Sequence, residues 1–325
     1  MNMDKKIVTV TLNPCVDVTI TIEEFLYGGT NNVLKTKKDI SGKGINTSIV
    51  LKNLGIESIV AGFSFAEDEK KLKEFLEEKE IPGRLLCIPG AMRTNIKIFD
   101  DAKKVMSEFN GKGVWVDKKY QDKVLQMMEQ LLEETKLLIV SGSIPPGISM
   151  DMYGQLTEMA TEKGIPVIVD AAGELLERAV NSGPYLIKPN VEELEKTFHI
   201  SVKTEDEIVR AANKILEKGV KYVCISRGKN GAILVTHENI YLADGLSVEV
   251  KGIQGAGDSM IAGICYAMEQ GLCEKEYLRY AIAAATGSVL HEGTELCEKS
   301  EMLEMVERVD VLVKENQGGS KDEKV

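Results

Sequence analysis

The sequence of 325 residues has few of the residue patterns that build metal and redox centres. Its three histidines are too far apart for a His-x-x-x-His metal motif, and its six cysteines show no Cys-x-x-Cys spacing. Structural zinc and a redox dithiol are therefore disfavoured. We expect the cysteines to be reduced thiols, most of them buried as small apolar groups.

The sequence also lacks the features of membrane and nucleic-acid-binding proteins. Its longest apolar run is well short of the roughly 18 residues that cross a bilayer, and its N-terminus has no signal-peptide pattern. With 40 basic and 51 acidic residues its net charge is −11, which repels phosphate backbones and anionic lipids. These absences predict a cytoplasmic protein that binds neither nucleic acid nor membranes.

What is present is a repeated alternation of short β-rich runs and longer amphipathic stretches. The strand candidates are rich in Val, Ile and Leu, which is typical of strands buried on both faces of a parallel sheet. They are residues 7–11, 58–61, 137–141, 167–170, 186–188 and 222–226. The predicted helices are 46–54, 68–79, 118–135, 151–163, 191–198, 206–217, 258–270, 275–290 and 300–314. This order predicts a doubly wound α/β fold, with a mostly parallel sheet flanked by helices and ligands at the carboxyl ends of the strands.

Two β-prone excursions interrupt this alternation. One comprises residues 16–22 and 32–40, and the other is a hairpin of residues 95–100 and 104–109. They are either ordinary surface hairpins or one small extra sheet that covers a site as a lid. We expect a single domain over residues 1–315, with lid segments inserted at 14–40 and 91–113 and a polar, Gly-rich disordered tail at 316–325.

The strongest local motif is Gly-Ala-Gly-Asp-Ser at 255–259, which we place between a strand at 247–250 and a helix. Small residues let backbone N–H groups crowd around an anion, and the helix dipole adds positive potential there. Asp258 would repel a phosphate that was merely bound, but it could accept a proton from a hydroxyl nucleophile during phosphoryl transfer. A simple helix N-cap explains Asp258 in this loop equally well.

A second glycine-flanked turn, Ser-Gly-Lys-Gly-Ile-Asn at 41–46, also leads into a helix. It offers amides and the Lys43 ammonium to a phosphate or to sugar hydroxyls, although by itself Lys43 is more simply a solvated lysine. The chain contains no G-x-x-x-x-G-K-[ST] loop, and neither glycine cluster completes G-x-G-x-x-G. A Walker A loop is therefore absent, and a dinucleotide-binding fold is not supported.

Asn190 and Glu193 stand three residues apart at a predicted helix start, on one face of its first turn. Their oxygens could hold Mg²⁺ through water. A capping box, with Asn190 as N-cap and Glu193 at the third helical position, explains the pair equally well.

The order of six motifs along the chain carries a family resemblance. They are Thr-Leu-Asn-Pro-Cys-Val-Asp at 11–17, Gly-Lys-Gly-Ile-Asn at 42–46, Arg-Thr-Asn at 93–95, Ser-Gly-Ser-Ile-Pro-Pro-Gly at 141–147, Lys-Pro-Asn-x-x-Glu at 188–193 and Gly-Ala-Gly-Asp at 255–258. Over residues 6–300 this series resembles the PfkB carbohydrate kinase family of the ribokinase-like superfamily. The branch that it resembles most contains the 1-phosphofructokinases and tagatose-6-phosphate kinases.

The resemblance implies a role for each matching residue. Asp258 would be the catalytic base, with an anion hole formed by Gly255, Ala256 and Gly257. The sugar would be bound by Asp17, Gly42, Lys43, Asn46, Arg93 and Asn95, with Lys43 and Arg93 on the phosphate that it already carries. ATP would be bound by Lys188, Asn190, Ser226, Gly228, Gly231 and Gly257. Asn190 and Glu193 would organise Mg²⁺ through water.

The resemblance also implies a reaction and a partner. The reaction is ATP- and Mg²⁺-dependent phosphorylation of a small phosphorylated ketohexose, fructose 1-phosphate, at its 6-hydroxyl to give fructose 1,6-bisphosphate. Tagatose 6-phosphate as substrate, giving the 1,6-bisphosphate, is an alternative, and a non-catalytic sensor of sugar phosphates or nucleotides is another. The lid would also form a homodimer contact. Ser41, in place of a usual glycine, and Gly-Ile-Gln at 252–254 depart from the family pattern and bear on the choice of substrate.

Overall fold

The computed structural model describes residues 5–291 and 295–318, which form two β-sheets flanked by helices. The strands are β1 (Lys6–Thr11), β2 (Cys15–Ile22), β3 (Val33–Ser41), β4 (Ser58–Phe65), β5 (Gly83–Ile88), β6 (Arg93–Asp100), β7 (Val105–Asn110), β8 (Thr135–Ser141), β9 (Val167–Asp170), β10 (Leu186–Ile187), β11 (Tyr222–Ser226), β12 (Ala232–Val235), β13 (Asn239–Ala243) and β14 (Leu312–Glu315). The helices are α1 (Lys43–Asn53), α2 (Glu69–Glu78), α3 (Lys118–Leu131), α4 (Met152–Glu162), α5 (Glu174–Val180), α6 (Val191–Phe198), α7 (Glu205–Leu216), α8 (Ala256–Glu269), α9 (Glu274–Val289) and α10 (Lys299–Val306).

The large sheet has ten strands in the order β14-β13-β12-β11-β10-β9-β8-β1-β4-β5. The strands from β11 to β5 in this order are parallel, and β12, β13 and β14 are antiparallel additions at one edge. The chain passes from β1 to β4 and β5 on one side and then returns to β8 on the other side of β1. Because ligands bind where the strand order reverses, the carboxyl ends of β1 and β8 are the expected crevice. The predicted α/β class with a mostly parallel sheet is confirmed.

The central strands are buried on both faces, as their composition predicts. All eight residues of β4 are buried, and Ile7, Val8 and Val10 of β1 are inaccessible to solvent. Helices cover the two faces with apolar stripes at three- and four-residue spacing, such as Ile208 and Ala212 of α7. None of the six cysteines, all of which lie in the described ranges, forms a disulfide, and four of them are buried as expected.

The two β-prone excursions meet in one separate sheet, ordered β3-β2-β6-β7, which we call the small sheet. Strands β2 and β6 pair in parallel over their whole length, with Asp17 opposite Asn95, and β3 and β7 pair antiparallel at the edges. Residues that pair across strands share a face. The inner face therefore carries the polar residues around Asp17, whereas the outer face carries Val18, Ile20 and Ile96.

Several segments differ from the sequence-based expectations. The predicted helix at 300–314 ends at Val306, and Leu312–Glu315 instead forms β14, which pairs with β13. Residues 247–250, all within the described chain, form no strand, because β12 and β14 already occupy both edges of β13. Strands β5, β12 and β13 and helix α5 were not predicted, and β4 is twice as long as predicted.

The start of the expected tail is ordered. Asn316 is buried, and it exchanges hydrogen bonds with Asn213, in addition to donating to the carbonyl oxygen of Thr236. Its composition is polar, but these amide contacts satisfy the polar groups inside the fold. Residues 319–325 lie outside the described residues. Within the described ranges, no helix combines the length and the apolar character needed to cross a membrane.

Candidate active site

Polar residues follow five parallel strands at one edge of the large sheet. Thr11, Ser141, Asp170 and Ser226 end β1, β8, β9 and β11, and Lys188 follows β10. The first turns of α1 and α8 reach the same edge, since side chains on both helices interact there. Parallel strand order thus brings together residues that are more than 200 positions apart in the sequence.

Asp258 lies in the first turn of α8 and is only 5% exposed. The helix begins at Ala256, with Gly255 as its N-cap, so that Asp258 occupies the third helical position. The interpretation of Asp258 as the N-cap is therefore wrong. Its Oδ2 instead accepts a hydrogen bond of 2.8 Å from Nδ2 of Asn46 on α1.

The surroundings of Asp258 raise its pKa. Burial is the largest cause and the negative charge of Asp170 is the second, whereas Lys43, the Asn46 hydrogen bond and Lys188 oppose them. The resulting pKa is about 6, compared with 3.8 for an unperturbed aspartate. A carboxylate with a pKa close to neutral is well suited to accept a proton during a reaction.

Asp170 links two lysines at the base of this site. Its Oδ1 lies 3.2 Å from Nζ of Lys43 and 3.4 Å from Nζ of Lys188, and its side chain is inaccessible to solvent. Burial alone would raise the pKa of Asp170, but the two ammonium groups outweigh burial and lower it. Lys43 also lies 3.7 Å from Oε1 of Glu193, and these carboxylates hold its pKa above the usual value. Lys43 and Lys188 thus bring two amino groups to one place, where they could contact an anionic ligand.

The N-terminus of α8 adds backbone donors beside these cations. The first three N–H groups of the helix, those of residues 256–258, have no intrahelical acceptor. The first N–H group with such an acceptor is that of Ser259, which donates to the carbonyl oxygen of Gly255. A Cβ on Gly257 would lie 3.3 Å from Nζ of Lys188, so the absence of a side chain lets the lysine approach the backbone. Free amides, a helix dipole and an ammonium group together form an anion-binding position next to Asp258.

Asp17 lies on the inner face of the small sheet and is nearly buried. Its Oδ1 accepts a 2.9 Å hydrogen bond from Asn95, and its Oδ2 forms a 2.9 Å ion pair with Lys97. Burial opposes its ionisation, but Lys97 and the hydrogen bonds lower the pKa of Asp17 below the usual value. Asp17, Lys97 and Asn46 line a cavity of about 210 Å³ that also reaches Gly255. We call this space the first cavity.

A second cavity, of about 500 Å³, opens at the crevice between β1 and β8. Both Lys43 and Arg93 line it, so the structure brings the two predicted phosphate-binding cations to one space. Arg93 donates from Nε to the carbonyl of Asn13 and from Nη1 to that of Gly111, which fixes the guanidinium at the cavity wall. The first cavity is lined by Asp17 and Asn46 instead, so the predicted sugar-binding residues are divided between two neighbouring spaces.

Polar atoms of the second cavity lack partners. Thr11 Oγ1, Asn13 Oδ1 and Ser141 Oγ are buried, and none forms a hydrogen bond within the part of the chain that the structure describes. Buried polar atoms normally have partners. Such unpaired atoms in a cavity wall are consistent with a polar ligand.

The predicted nucleotide-binding residues follow β10 and β11, where the two loops adjoin. Asn190 forms an isolated parallel bridge with Ser226, and the Ser226 N–H donates to the Pro189 carbonyl. Gly228 begins a short 3-10 turn of residues 228–230 and has a φ of +57°, which a glycine adopts at no steric penalty. Gly231 lies close to the backbone at the end of β13. A Cβ at this position would lie 2.0 Å from the Ala243 carbonyl oxygen, so a side chain does not fit there.

Asn190 and Glu193 form a complete capping box at the start of α6. The Asn190 Oδ1 accepts from the Glu193 N–H at 2.8 Å, and Glu193 Oε2 accepts from the Asn190 N–H at 2.9 Å. The capping interpretation is therefore confirmed, and it leaves Glu193 Oε1 directed toward Lys43. In residues 5–291 and 295–318, no cluster of three or more His, Cys, Asp or Glu side chains is arranged for a metal ion.

Sequence reasoning missed Lys97 and Asp170. Asp170 ends a strand predicted to be fully buried, and an acidic residue at the carboxyl end of such a strand is a signal that could have been used. Lys97 stands two residues after Asn95 on an alternating strand, so that the two share the face of Asp17, but the ion pair itself depends on how β2 and β6 pair.

Comparisons with known proteins identify the family. The model of the pfkB family of carbohydrate kinases matches residues 10–301. The chain is 31% identical to the 1-phosphofructokinase of Bacillus subtilis over 89% of this chain and 95% of that protein. It is 28% identical to the tagatose-6-phosphate kinase of Staphylococcus epidermidis over 94% of this chain and 99% of that protein.

A solved structure agrees with this result. Phosphofructokinase-2 of Escherichia coli, in complex with potassium, superposes with a TM-score of 0.85 and is 27% identical, covering 94% of this chain and 99% of that one. The large sheet, the small sheet and the flanking helices are thus a ribokinase-like fold. Because the family model spans most of the chain and the kinase relatives match over nearly their whole length, this protein belongs to the pfkB family of carbohydrate kinases and is a sugar-phosphate kinase.

Proposed function

We propose that this protein transfers the γ-phosphoryl group of ATP to the 6-hydroxyl of fructose 1-phosphate, giving fructose 1,6-bisphosphate and ADP, with Asp258 as the general base. The observation that carries this proposal is the position of Asp258, which is buried at the N-terminus of α8 with a pKa of about 6. In the reaction Asp258 takes the proton of the 6-hydroxyl while the hydroxyl oxygen attacks the γ-phosphorus.

The groups around Asp258 supply the charge that this transfer requires. Phosphoryl transfer depends on positioning and on stabilisation of the transferred group more than on covalent chemistry. The N–H groups of residues 256–258 and the ammonium of Lys188 lie at one anion-binding position. We assign the γ-phosphoryl group to this position. Lys43 would lie on the side of the group that faces Asp170, with which its ammonium forms an ion pair.

The residues present fit a Mg²⁺ ion that is held mainly by the nucleotide and by water. Magnesium usually keeps several waters and takes one or two carboxylates besides substrate phosphates, and no larger cluster exists among the described residues. Glu193 offers Oε1, and its Oε2 is held by the capping box. We assign the water-mediated contact to Glu193 and Asn190. When bound, the ion would neutralise charge on the phosphates.

The substrate assignment is supported by the relatives and by the charge of the cavities. The relative from Bacillus subtilis carries the name 1-phosphofructokinase. Lys43 and Arg93 line one cavity, and a guanidinium can bind phosphate oxygens in a bidentate manner. A neutral sugar would not require two cations. We therefore place the 1-phosphate of the sugar in the second cavity and its hydroxyls beside Asp17 and Asn46.

Tagatose 6-phosphate is the alternative substrate, because the relative from Staphylococcus epidermidis is named as its kinase at nearly the same identity. Two residues that depart from the family pattern, Ser41 and Gln254, both line the first cavity. Their positions support a role in distinguishing one sugar from another, while Asp258 and the lysine cluster serve the same chemistry with either substrate.

We also infer that the small sheet closes over the sugar as a lid and joins two copies of the chain through its outer face. Its inner face holds Asp17 at the first cavity, whereas outer-face residues Leu34, Ile96 and Phe109 are 62%, 40% and 55% exposed. A row of exposed apolar side chains on a sheet is stabilised by burial against a partner. A second copy would supply the same face in a symmetric contact.

The test is an assay of ADP release with Mg-ATP and one of four acceptors: fructose 1-phosphate, tagatose 6-phosphate, fructose 6-phosphate or fructose. We expect kcat/KM for fructose 1-phosphate to exceed the others by about tenfold or more, which is about 1.4 kcal/mol of transition-state preference. A preference for tagatose 6-phosphate or fructose 6-phosphate would leave the proposed phosphoryl transfer in place but would change the substrate that we assign. No acceptor-dependent ADP release would contradict the proposal and favour a non-catalytic sensor.

A further inference from the structure

A buried ion pair in the small sheet borders the first cavity. The Lys97 ammonium lies 2.9 Å from Asp17 Oδ2, and the two side chains are only 9% and 6% exposed. Both residues line the cavity that also contains Asn46, the hydrogen-bond partner of Asp258. The pair is thus part of the wall where we place the sugar hydroxyls.

Strand pairing places Lys97 diagonally across from Asp17. In the parallel pair of β2 and β6, Asn95 is opposite Asp17 and Lys97 is opposite Thr19. Lys97 therefore lies on the face of Asp17, two residues further along its strand, and its long side chain reaches back to the carboxylate. Asn95 holds the other oxygen of Asp17 at 2.9 Å, so that both carboxylate oxygens are fixed by donors from β6.

We infer that Lys97 is a positioning residue for sugar binding, which acts through Asp17 by keeping this carboxylate ionised and fixed so that it accepts hydrogen bonds from the sugar hydroxyls. This inference rests on the proposed function. It assigns to Lys97 no contact with the sugar or with the reacting atoms.

The charges around Asp17 make its ionisation depend on Lys97. On β3, Asp39 pairs directly with Asp17 and shares its face, and it forms an ion pair of 3.6 Å with Lys37. On β7, Glu108 is opposite Lys97 and lines the same cavity. Asp39 and Glu108 are acidic residues and add no cation beside Asp17, and burial opposes the ionised form of Asp17.

Two further neighbours do not replace the charge of Lys97. Cys15, on the strand of Asp17, donates a 3.4 Å hydrogen bond from its thiol to Asp17 Oδ1, which helps to lower the pKa of Asp17, but its own pKa is raised to about 12 by burial and by Asp17, so that the thiol remains neutral. Arg93, on the strand of Lys97, is held by the carbonyls of Asn13 and Gly111. Lys97 is the cation that the structure places in contact with Asp17.

Removal of the Lys97 charge should therefore make sugar binding depend on pH. In the wild-type protein Lys97 keeps the pKa of Asp17 low, so that Asp17 is ionised throughout the neutral range. In K97M, the Lys97 charge no longer opposes burial, so the pKa of Asp17 shifts upward, and Asp17 takes up a proton at a higher pH than in the wild type. A protonated carboxyl is a weaker acceptor than a carboxylate, so the KM for the sugar phosphate should rise at low pH.

The experiment compares K97M with K214M between about pH 8.5 and about pH 6.5. Lys214 is an exposed lysine of α7, outside both the candidate site and the small sheet, so K214M is a matched loss of charge. We expect the sugar-phosphate KM of K97M to exceed that of K214M by roughly tenfold or more, with the ratio widening as the pH falls and the KM for ATP unchanged. Taking the ratio at each pH cancels the titration of Asp258. K97R, which keeps the charge, should show no widening.

A double-mutant comparison separates positioning from direct contact and also serves if K97M does not fold. D17N and D17N/K97M bury no unpaired carboxylate at this position, because Asn replaces Asp17 in both. If Lys97 acts only through Asp17, these two variants should have equal KM values for the sugar phosphate. A higher KM for the double variant would overturn the inference, because Lys97 would then act without Asp17. A K97M-to-K214M ratio of one at every pH would overturn this inference alone, whereas a wild-type protein without sugar-phosphate turnover would overturn both this inference and the proposed function.

Discussion

At the scale of single residues, the burial of Asp258 bears both on the proposed chemistry and on stability. Burial disfavours the ionised form of Asp258 and raises its pKa. Lys43, Lys188 and the Asn46 hydrogen bond favour the ionised form, so that the pKa rises no further than about 6. Because a base must be ionised to accept a proton, activity should decline as the pH falls through about 6.

Replacement of Asp258 by Asn should remove the proton acceptor and leave the binding residues in place. We expect D258N to lower kcat by about three orders of magnitude while it keeps its affinity for ATP. The measurement is single-turnover ADP formation together with calorimetric titration of the nucleotide. Asp122 on α3 is exposed, so D122N serves as the control and should keep wild-type turnover. Equal turnover by D258N and D122N would exclude Asp258 as the base.

The same substitution should stabilise the fold at neutral pH. The pKa of Asp258 is raised from 3.8 to about 6 by folding, so the unfolded chain loses this proton at a lower pH than the folded protein. Ionisation therefore reduces stability as the pH rises between about 4 and 6, by roughly 3 kcal/mol in total. Denaturant unfolding at about pH 8 should show D258N more stable than the wild type by that order, with the difference lost near pH 4. A D258N protein no more stable than D122N at pH 8 would contradict the raised pKa.

Arg93 tests the assignment of the second cavity to the sugar phosphate. R93A should raise the KM for the sugar phosphate by roughly tenfold to a hundredfold, because a charge-assisted hydrogen-bonding group is lost, and the KM for ATP should hardly change. Arg84 on β5 is exposed, and R84A is the matched control. Steady-state kinetics with each substrate varied in turn distinguishes the outcomes. A rise in the KM for ATP alone would show that the two subsites are assigned in reverse.

At the scale of secondary-structure elements, the N-terminus of α8 is the part of the site whose position depends most on glycine. Gly255 has a φ of +69°, and a Cβ there would lie 2.4 Å from Leu296 Cδ2 in the core. Gly271, just after the same helix, has a φ of +64° but nothing within 4 Å of its Cβ position. The two glycines thus share the backbone conformation and differ in the space around them.

G255A should therefore cost more than G271A. We expect G271A to lower the free energy of unfolding by about 1 kcal/mol for the left-handed backbone, and G255A by about 2–4 kcal/mol because of the added contact with Leu296. Only G255A should reduce kcat, since it displaces the N–H groups next to Asp258. Urea unfolding and turnover of the two variants measure both effects. Equal losses in the two variants would show that crowding at Leu296 is not significant.

The accuracy of the sequence-based elements followed the clarity of the local pattern in each, and burial alone did not ensure it, since the fully buried β12 was not predicted. Helix α6 was predicted residue for residue, and β1 and β11 to within one residue, because buried strands and capped helices have clear local patterns. Strand β14 was mistaken for the end of a helix, because all four of its residues are exposed and only pairing with β13 makes it a strand.

At the scale of the whole molecule, the exposed outer face of the small sheet determines the expected assembly. F109K should disrupt the proposed dimer, because a charged side chain would replace an apolar one within the contact. Light scattering coupled to size-exclusion chromatography should show a dimer for the wild type and a monomer for F109K. Leu303 on α10 is also 40% exposed but lies outside the small sheet, so L303K should remain dimeric. A monomeric wild type, or a dimeric F109K, would contradict the contact through this face.

The sequence by itself determined the fold class, the family and most of the residues that gather at the active site. Buried strands, capping signals and glycine-flanked turns are local features, and six motifs in order identify the family without knowledge of their contacts. The sequence also offered two interpretations each for Asp258 and for the Asn190–Glu193 pair. It could not choose between them, because a cap and a site residue have the same local pattern.

Only the tertiary structure showed that Asp258 is not the N-cap of its helix and that Asn190 and Glu193 form a capping box, and only it revealed the electrostatics of the candidate site. It placed Asp258 inside the first turn of α8 instead of at its N-cap, and it brought Asp170 between Lys43 and Lys188. It also paired Lys97 with Asp17 across two strands that are far apart in the sequence. The pKa of a buried group depends on charges that come from distant segments of the chain, so it is determined by strand order and register and not by local sequence.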